Sequence, residues 1–204
     1  MNGFDVIVQP DAEDADAAEV FVEGAIGGRP YRFLLDTGAA RSCVRYDDYT
    51  ATFVSVGSDT SSGVFAGGSR DLVSAPSLTL GSISRNDFTL ARAAEGDSGR
   101  QNLIGMDLLK DLCCHFRFDE RRVALDEGGN EEDNGAFEEL FLGQRGHPYV
   151  PLKLGDVIAS AVWDTGSGMT VVDTNFIART PGFFPAAGSS TGTDSSGAQQ
   201  ETPM

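Results

Sequence analysis

The tripeptide Asp-Thr-Gly occurs twice, each time behind two apolar residues: Leu34-Leu35-Asp36-Thr37-Gly38 and Val162-Trp163-Asp164-Thr165-Gly166. At this composition one such tripeptide arises by chance with probability roughly 0.15, and two copies behind apolar pairs with roughly 0.0003. The recurrence therefore reports on structure. A strand-like run leads into each copy, Tyr31-Arg32-Phe33-Leu34-Leu35 into the first and Val157 to Trp163 into the second. A chain that repeats a strand followed by the same tight turn is an internal duplication. The expectation is two homologous lobes about a pseudo-two-fold axis.

The flanking pattern is that of strands. Val20-Phe21-Val22-Glu23-Gly24 and Tyr31 to Leu35 bracket a Gly27-Gly28-Arg29-Pro30 turn, and Ser77 to Gly81 and Asp87 to Ala91 alternate with the strand period of two. Ser61 to Ser69 is glycine-rich and reads as a mobile hairpin, and Leu103-Ile104-Gly105-Met106-Asp107-Leu108-Leu109 as a strand breaking at Gly105 into a short helix. Cys114 to Phe118 and Arg122 to Leu125 read as a hairpin turned at Asp119-Glu120. With 25 Gly and little helical periodicity, the fold class is all-β. The expected divisions are an acidic flexible tail over 1–17, a first lobe over 18–126, an acidic linker over 127–146 and a partial second lobe over 147–204. The second lobe is read as truncated, because no second Leu-Ile-Gly element follows Asp164. The acids of 126–135 do not have the spacing of a helix-loop-helix calcium site, and a solvated linker is the reading there.

Charge narrows the partners. Thirty-one acidic residues against 15 basic give −16, which repels phosphates and excludes nucleic acid and anionic membrane as partners. No apolar run approaches the roughly 18 residues of a membrane span, and the acidic N-terminus does not read as a secretory signal. Three cysteines without such a signal (Cys43, Cys113, Cys114) read as reduced thiols in a cytoplasmic protein.

The duplicated aspartates suggest a chemistry. Two carboxyls a few ångströms apart cannot both ionise, so they share a proton. The ionised one then takes a proton from water while the protonated one hydrogen-bonds a substrate carbonyl. Gly38 and Gly166 leave room for each carboxyl to approach its twin, and Thr37 and Thr165 carry hydroxyls placed to bond across the two-fold.

On these residues the chain resembles the pepsin/retropepsin aspartic peptidases, most closely their bacterial retropepsin-like branch. Leu34 to Ala39 followed by Leu103 to Leu109 is similar to that branch's paired signature. The resemblance covers 18–126 fully and 147–204 partly. It implies β-barrel lobes, an endopeptidase with Asp36 and Asp164 as the catalytic dyad, and no metal or organic cofactor. It further implies that Thr37, Gly38, Ala39, Thr165, Gly166 and Ser167 support the active-site loops, and that the Leu103-Ile104-Gly105 strand holds the Asp36 loop. Val64, Phe65, Ala66, Gly67 and Gly68 would form the flap over a bound peptide. Ser167, where the first loop has Ala39, would donate to the Asp164 carboxylate and keep it ionised, leaving the proton on Asp36. The expected partner is an extended, mostly apolar peptide or protein substrate. The chain would act as a two-lobe monomer, as a homodimer pairing two copies of Asp36, or as a non-catalytic protein-interaction module on the same fold.

Other residues have plainer readings. Asp107 reads as an N-cap or salt-bridge partner of the short helix. His115 and His147 lack a Ser or Cys arranged for a triad and read as structural or exposed. Cys43 has no evident base and reads as structural, as do Cys113 and Cys114.

Overall fold

The computed structural model describes residues 2–12, 16–63, 67–97, 100–126, 140–194 and 198–204. In chain order its first part comprises β1 (Gly3–Asp5), β2 (Ile7–Pro10), β3 (Ala18–Ile26), β4 (Arg29–Leu35), β5 (Cys43–Val44), β6 (Val54–Ser62), β7 (Gly67–Leu80), β8 (Ile83–Arg92), β9 (Leu103–Ile104), α1 (Met106–Leu109), β10 (Cys114–Arg117) and β11 (Arg122–Leu125). Its second part comprises β12 (Phe141–Leu142), β13 (Pro148–Leu154), β14 (Val157–Val162), α2 (Thr174–Arg179), β15 (Ser189–Thr193) and β16 (Gln199–Pro203). The protein is all-β, as the period-two alternation requires.

The first part closes on itself. Strand pairing runs β3-β4-β9-β5-β8-β7, and β7 returns to β3 through Ala25↔Thr79 and Ile26↔Leu78. Closure pairs β3 and β7 with each other and leaves β2 and β6 as the outer strands. Inside stand Val22, Ile26, Phe33, Leu35, Val73, Leu78, Leu80, Leu90 and Ile104, all fully buried. The alternation along β3 and β4 dictates this: one face of each strand fills the barrel while Glu23 and Arg32 face water.

The N-terminus corrects the expectation of a flexible tail. β1 pairs antiparallel with β11 (Gly3↔Ala124, Phe4↔Val123) and β2 pairs with β3 (Ile7↔Phe21, Val8↔Val20). Phe4 and Val6 are buried in the main core, while Asp5 and Ile7 point outward. Strand alternation was present, but the acids just downstream masked it. Gly3 is required there, since with φ +129° a Cβ would lie 2.2 Å from the Val123 carbonyl oxygen.

The second part is an open assembly: the sheet β12-β13-β14, the hairpin β15-β16 and α2, which Asp173 caps by accepting from Asn175 and Phe176 amides. β12 lies within the expected linker, whose residues 127–139 are outside the described residues. Apart from Pro148, every buried hydrophobic residue lies at or before Val123, among the described residues. Ile158, Phe141 and Leu152 are exposed, and no described strand runs beside β14 as β9 runs beside β4. The lobes meet where Phe116 packs edge-on against Trp163 at 4.6 Å. This contact borders a cavity of about 140 Å³ lined by Met106, Leu109, Leu140 and Pro148 among others.

If β1 is an integral strand, Phe4→Ala lowers the unfolding free energy by about 3 kcal/mol, the usual cost of truncating a buried Phe. Urea denaturation followed by tryptophan fluorescence measures it, and a change near zero would restore the tail reading.

Candidate active site

Each Asp-Thr-Gly loop begins where a strand runs out. β4 lies parallel to β9 (Leu34↔Leu103, Leu35↔Ile104), and the Asp36 amide continues the ladder to the Ile104 carbonyl at 2.9 Å. Gly105 follows at once, and the Met106 amide donates to Ala39 O at 2.8 Å. A Cβ at Gly105 would lie 2.7 Å from Ala39 O and 2.8 Å from Arg41 C, so only glycine passes under the loop. Leu103 and Ile104 thus run beside the strand that ends at Asp36, and Gly105 passes beneath the loop.

The two loops are joined by a reciprocal set of hydrogen bonds. The Thr37 hydroxyl donates to Trp163 O at 2.6 Å and accepts from the Thr165 amide at 3.0 Å. The Thr165 hydroxyl donates to Leu35 O at 2.6 Å and accepts from the Thr37 amide at 3.2 Å. Each threonine therefore satisfies one backbone donor and one backbone acceptor of the opposite loop. The glycines serve by absence. A Cβ on Gly38 would stand 2.3 Å from Asp164 Oδ2, and one on Gly166 2.4 Å from Asp36 Cγ. Neither glycine has a left-handed φ, so the requirement is space, not backbone freedom.

Asp36 and Asp164 consequently face one another and share a side-chain hydrogen bond. Their environments differ. Asp36 is buried, and burial first, then the negative field of Asp164, pushes its carboxyl up to about 7 against amide bonds from Ala39 and Gly38. Asp164 is exposed and accepts from the Gly166 amide at 2.9 Å. The expected source of asymmetry is not observed: the Ser167 hydroxyl donates to Met169 O at 2.6 Å, not to the Asp164 carboxylate. Burial of one partner, not a serine on the other, makes the pair unequal.

Asp107 also departs from expectation. The N-cap of α1 is Gly105, with no side-chain cap. The Asp107 Oδ1 instead accepts from Ser42 N at 2.8 Å and Ser42 Oγ at 2.7 Å, and Ser42 Oγ accepts from the Gly105 amide at 3.0 Å. Burial raises the Asp107 carboxyl while the Ser42 bonds oppose that rise. Fully buried Ser42 thus ties α1 to the passage under the Asp36 loop. Nothing in the sequence around Ser42 marks that role, because its partner lies 65 positions away.

A cleft of about 640 Å³ opens beside Asp36, lined by Gly38, Ala39, Asp59, Thr60, Leu103 and the 142–147 loop, with Arg41, Arg70, Lys110 and Arg145 around it. Arg41 pairs with Asp59 at 3.1 Å, whereas Lys110 and Arg145 have no acidic partner among the described residues. Gly67 and Gly68 begin β7 opposite Ser62 and Ser61, at one end of the long β6-β7 pair. Val64, Phe65 and Ala66 lie outside the described residues. Gly63 abuts the Asp194 carboxylate beyond β15, so the ends of two hairpins approach each other. Cys43 is buried, and burial raises its thiol. His147 lines the cleft. No helix among the described residues is long and apolar enough to cross a membrane.

Residues 22–111 match a family profile described as "gag-polyprotein putative aspartyl protease". Among solved structures, the chain is similar to a retropepsin-like aspartic protease from Rickettsia conorii, at 16% identity and a TM-score of 0.39, over 58% of this chain and 96% of that one. No curated protein is significantly similar in sequence.

Thr165→Val removes both bonds of one threonine and leaves Leu35 O and the Thr37 amide unmet, a cost of about 2–4 kcal/mol to the loop contact. Hydrogen exchange at the Thr37 amide should quicken accordingly. A second expectation concerns pH. Between the unfolded carboxyl value of 3.8 and about 7, folded Asp36 holds a proton that the unfolded chain has released. Its contribution to stability is therefore complete below 3.8 and is lost as pH rises through about 7. The stability difference between wild type and Asp36→Asn, followed by denaturation from pH 4 to 8, should decline with pH across that window. A flat difference would mean that Asp36 titrates as an ordinary carboxyl.

Proposed function

We propose that the chain is an aspartic peptidase of the retropepsin-like kind, a reading supported by the aspartyl-protease family profile that residues 22–111 match, and that it hydrolyses internal peptide bonds with Asp36 and Asp164 as its catalytic pair. The observation that carries this reading is the approach of the two carboxyls across the threonine bonds, one buried and one exposed. Ionised Asp164 takes a proton from a water between the loops. Protonated Asp36 donates to the carbonyl oxygen of the scissile peptide, the water oxygen bonds to the carbonyl carbon, and the resulting tetrahedral diol collapses as the amine leaves with a proton. A pair that comes from one chain supports the two-lobe reading over a homodimer of Asp36 copies.

The substrate is an extended peptide lying in the cleft beside Asp36 and pairing with the β6-β7 hairpin as a strand. The cleft's cations argue for a substrate different from the mostly apolar one that the sequence suggests. Lys110 and Arg145 favour an acidic side chain near the scissile bond, in a protein whose overall charge would otherwise repel it.

Incubation with unfolded casein across pH 3 to 9 tests the reaction. Cleavage should be blocked by a statine-type mimic of the tetrahedral state and lost in Asp36→Asn. Activity should also fall as pH rises past about 7, where Asp36 gives up its proton. Binding of casein without cleavage at any pH would identify an interaction module. For matched peptides, replacing Gln with Glu beside the scissile bond should raise kcat/KM about tenfold, worth roughly 1.4 kcal/mol. The gain should vanish in the Lys110→Met, Arg145→Met double variant.

A further inference from the structure

On the far side of the Phe116–Trp163 contact, the β10-β11 hairpin brings three metal-ligating groups to one place. The register pairs His115 with Ala124 and Cys114 with Leu125, and the ladder continues one step further, the Asp126 amide donating to Cys113 O at 3.1 Å. Side chains two apart along a strand share a face, and residues directly opposite on an antiparallel pair share it too. Cys113, His115 and Asp126 therefore stand together by the rules of the sheet. The His115 Nε2 lies 3.7 Å from Cys113 Sγ and 3.4 Å from Asp126 Oδ2, and the three donor atoms all fall within 4.8 Å of one another.

We propose that Cys113, His115 and Asp126 bind a borderline divalent cation of the zinc class, with water in the remaining position. Zinc bonds of about 2.3 Å to sulfur and about 2.0–2.2 Å to nitrogen and oxygen, set at tetrahedral angles, place N and S about 3.6 Å apart and N and O about 3.4 Å apart. The two observed separations match these, and the remaining sulfur–oxygen edge closes by side-chain rotation at residues that are not buried. A mere His–Asp ion pair accounts for Asp126 but not for the thiol directed at the same ring nitrogen. Sulfur with imidazole selects zinc-like metals over magnesium or calcium, whose preferred ligands are all oxygen. Binding displaces the thiol proton to solvent, so affinity rises with pH.

The location gives the ion a structural consequence. It clamps the open end of the hairpin, where β11 gives way to Asp126. Phe116, the residue after His115, packs on Trp163, the residue before Asp164. Metal occupancy therefore braces the strand that meets the second loop, and this holds whether or not the chain cleaves peptides.

Cobalt(II) added to the full chain, stripped with a chelator and kept reduced with a phosphine, is the probe. The expected result is one cobalt per chain, with a thiolate-to-cobalt charge-transfer band and the intense visible bands of a four-coordinate site, both removed by added zinc. Zinc should also raise the melting temperature. Cys113→Ser and His115→Ala should abolish the charge-transfer band and weaken binding on the order of a hundredfold or more, since even outer-shell partners of a metal are worth ten- to hundredfold. Cys43→Ser and Cys114→Ser should leave it intact, and circular dichroism verifies that each variant is folded. No such band in the wild type, or its survival in Cys113→Ser or His115→Ala, overturns the proposal.

Discussion

Four hydrogen bonds between Thr37 and Thr165 and the backbones of the opposite loops decide what the rest of this molecule can do. Backbone groups at the end of a strand need partners, and here each loop supplies those of the other. The exchange fixes the loops at a separation where no Cβ fits at Gly38 or Gly166, which is why the tripeptide must repeat whole. Aspartate, threonine and glycine are three demands of one contact: a carboxyl to meet its twin, a hydroxyl to bridge, and empty space.

The contact is symmetric in sequence but not in surroundings. The first loop is backed by a closed barrel, with β9 beneath it and the Asp107–Ser42–Gly105 bonds behind it. The second stands on an open three-stranded sheet whose side chains are largely solvated. Hence one carboxyl is buried and the other exposed, and the proton resides where ionisation costs most. An uneven fold thus sets the two carboxyls apart, without any difference between the two tripeptides.

The sequence disclosed what depends on local pattern. The strands flanking both loops, the break at Gly105 and the β10-β11 hairpin follow from apolar alternation and turn residues, and the structure has them where that alternation puts them. The pairing of the loops was legible because it is written twice. Features fixed by distant partners were hidden. Phe4 and Val6 looked like part of an acidic tail because β11, which receives β1, lies about 120 residues onward. Asp107 resembled a cap because Ser42 is remote in the chain. Ser167 was assigned to the carboxylate by likeness, yet the nearer Met169 carbonyl captures its hydroxyl. The cations around the cleft come from four separate stretches, so no window of sequence reveals them together.

A carboxyl shared between two lobes is most directly seen by carbon-13 NMR of aspartate-labelled protein, following the Asp36 side chain through a pH titration. The account requires its resonance to remain that of the protonated form until about pH 7, and to move toward ordinary carboxylate behaviour when Asp164 is replaced by asparagine. An Asp36 signal that titrates near the common aspartate value of about 3.9, and is indifferent to Asp164, would contradict it.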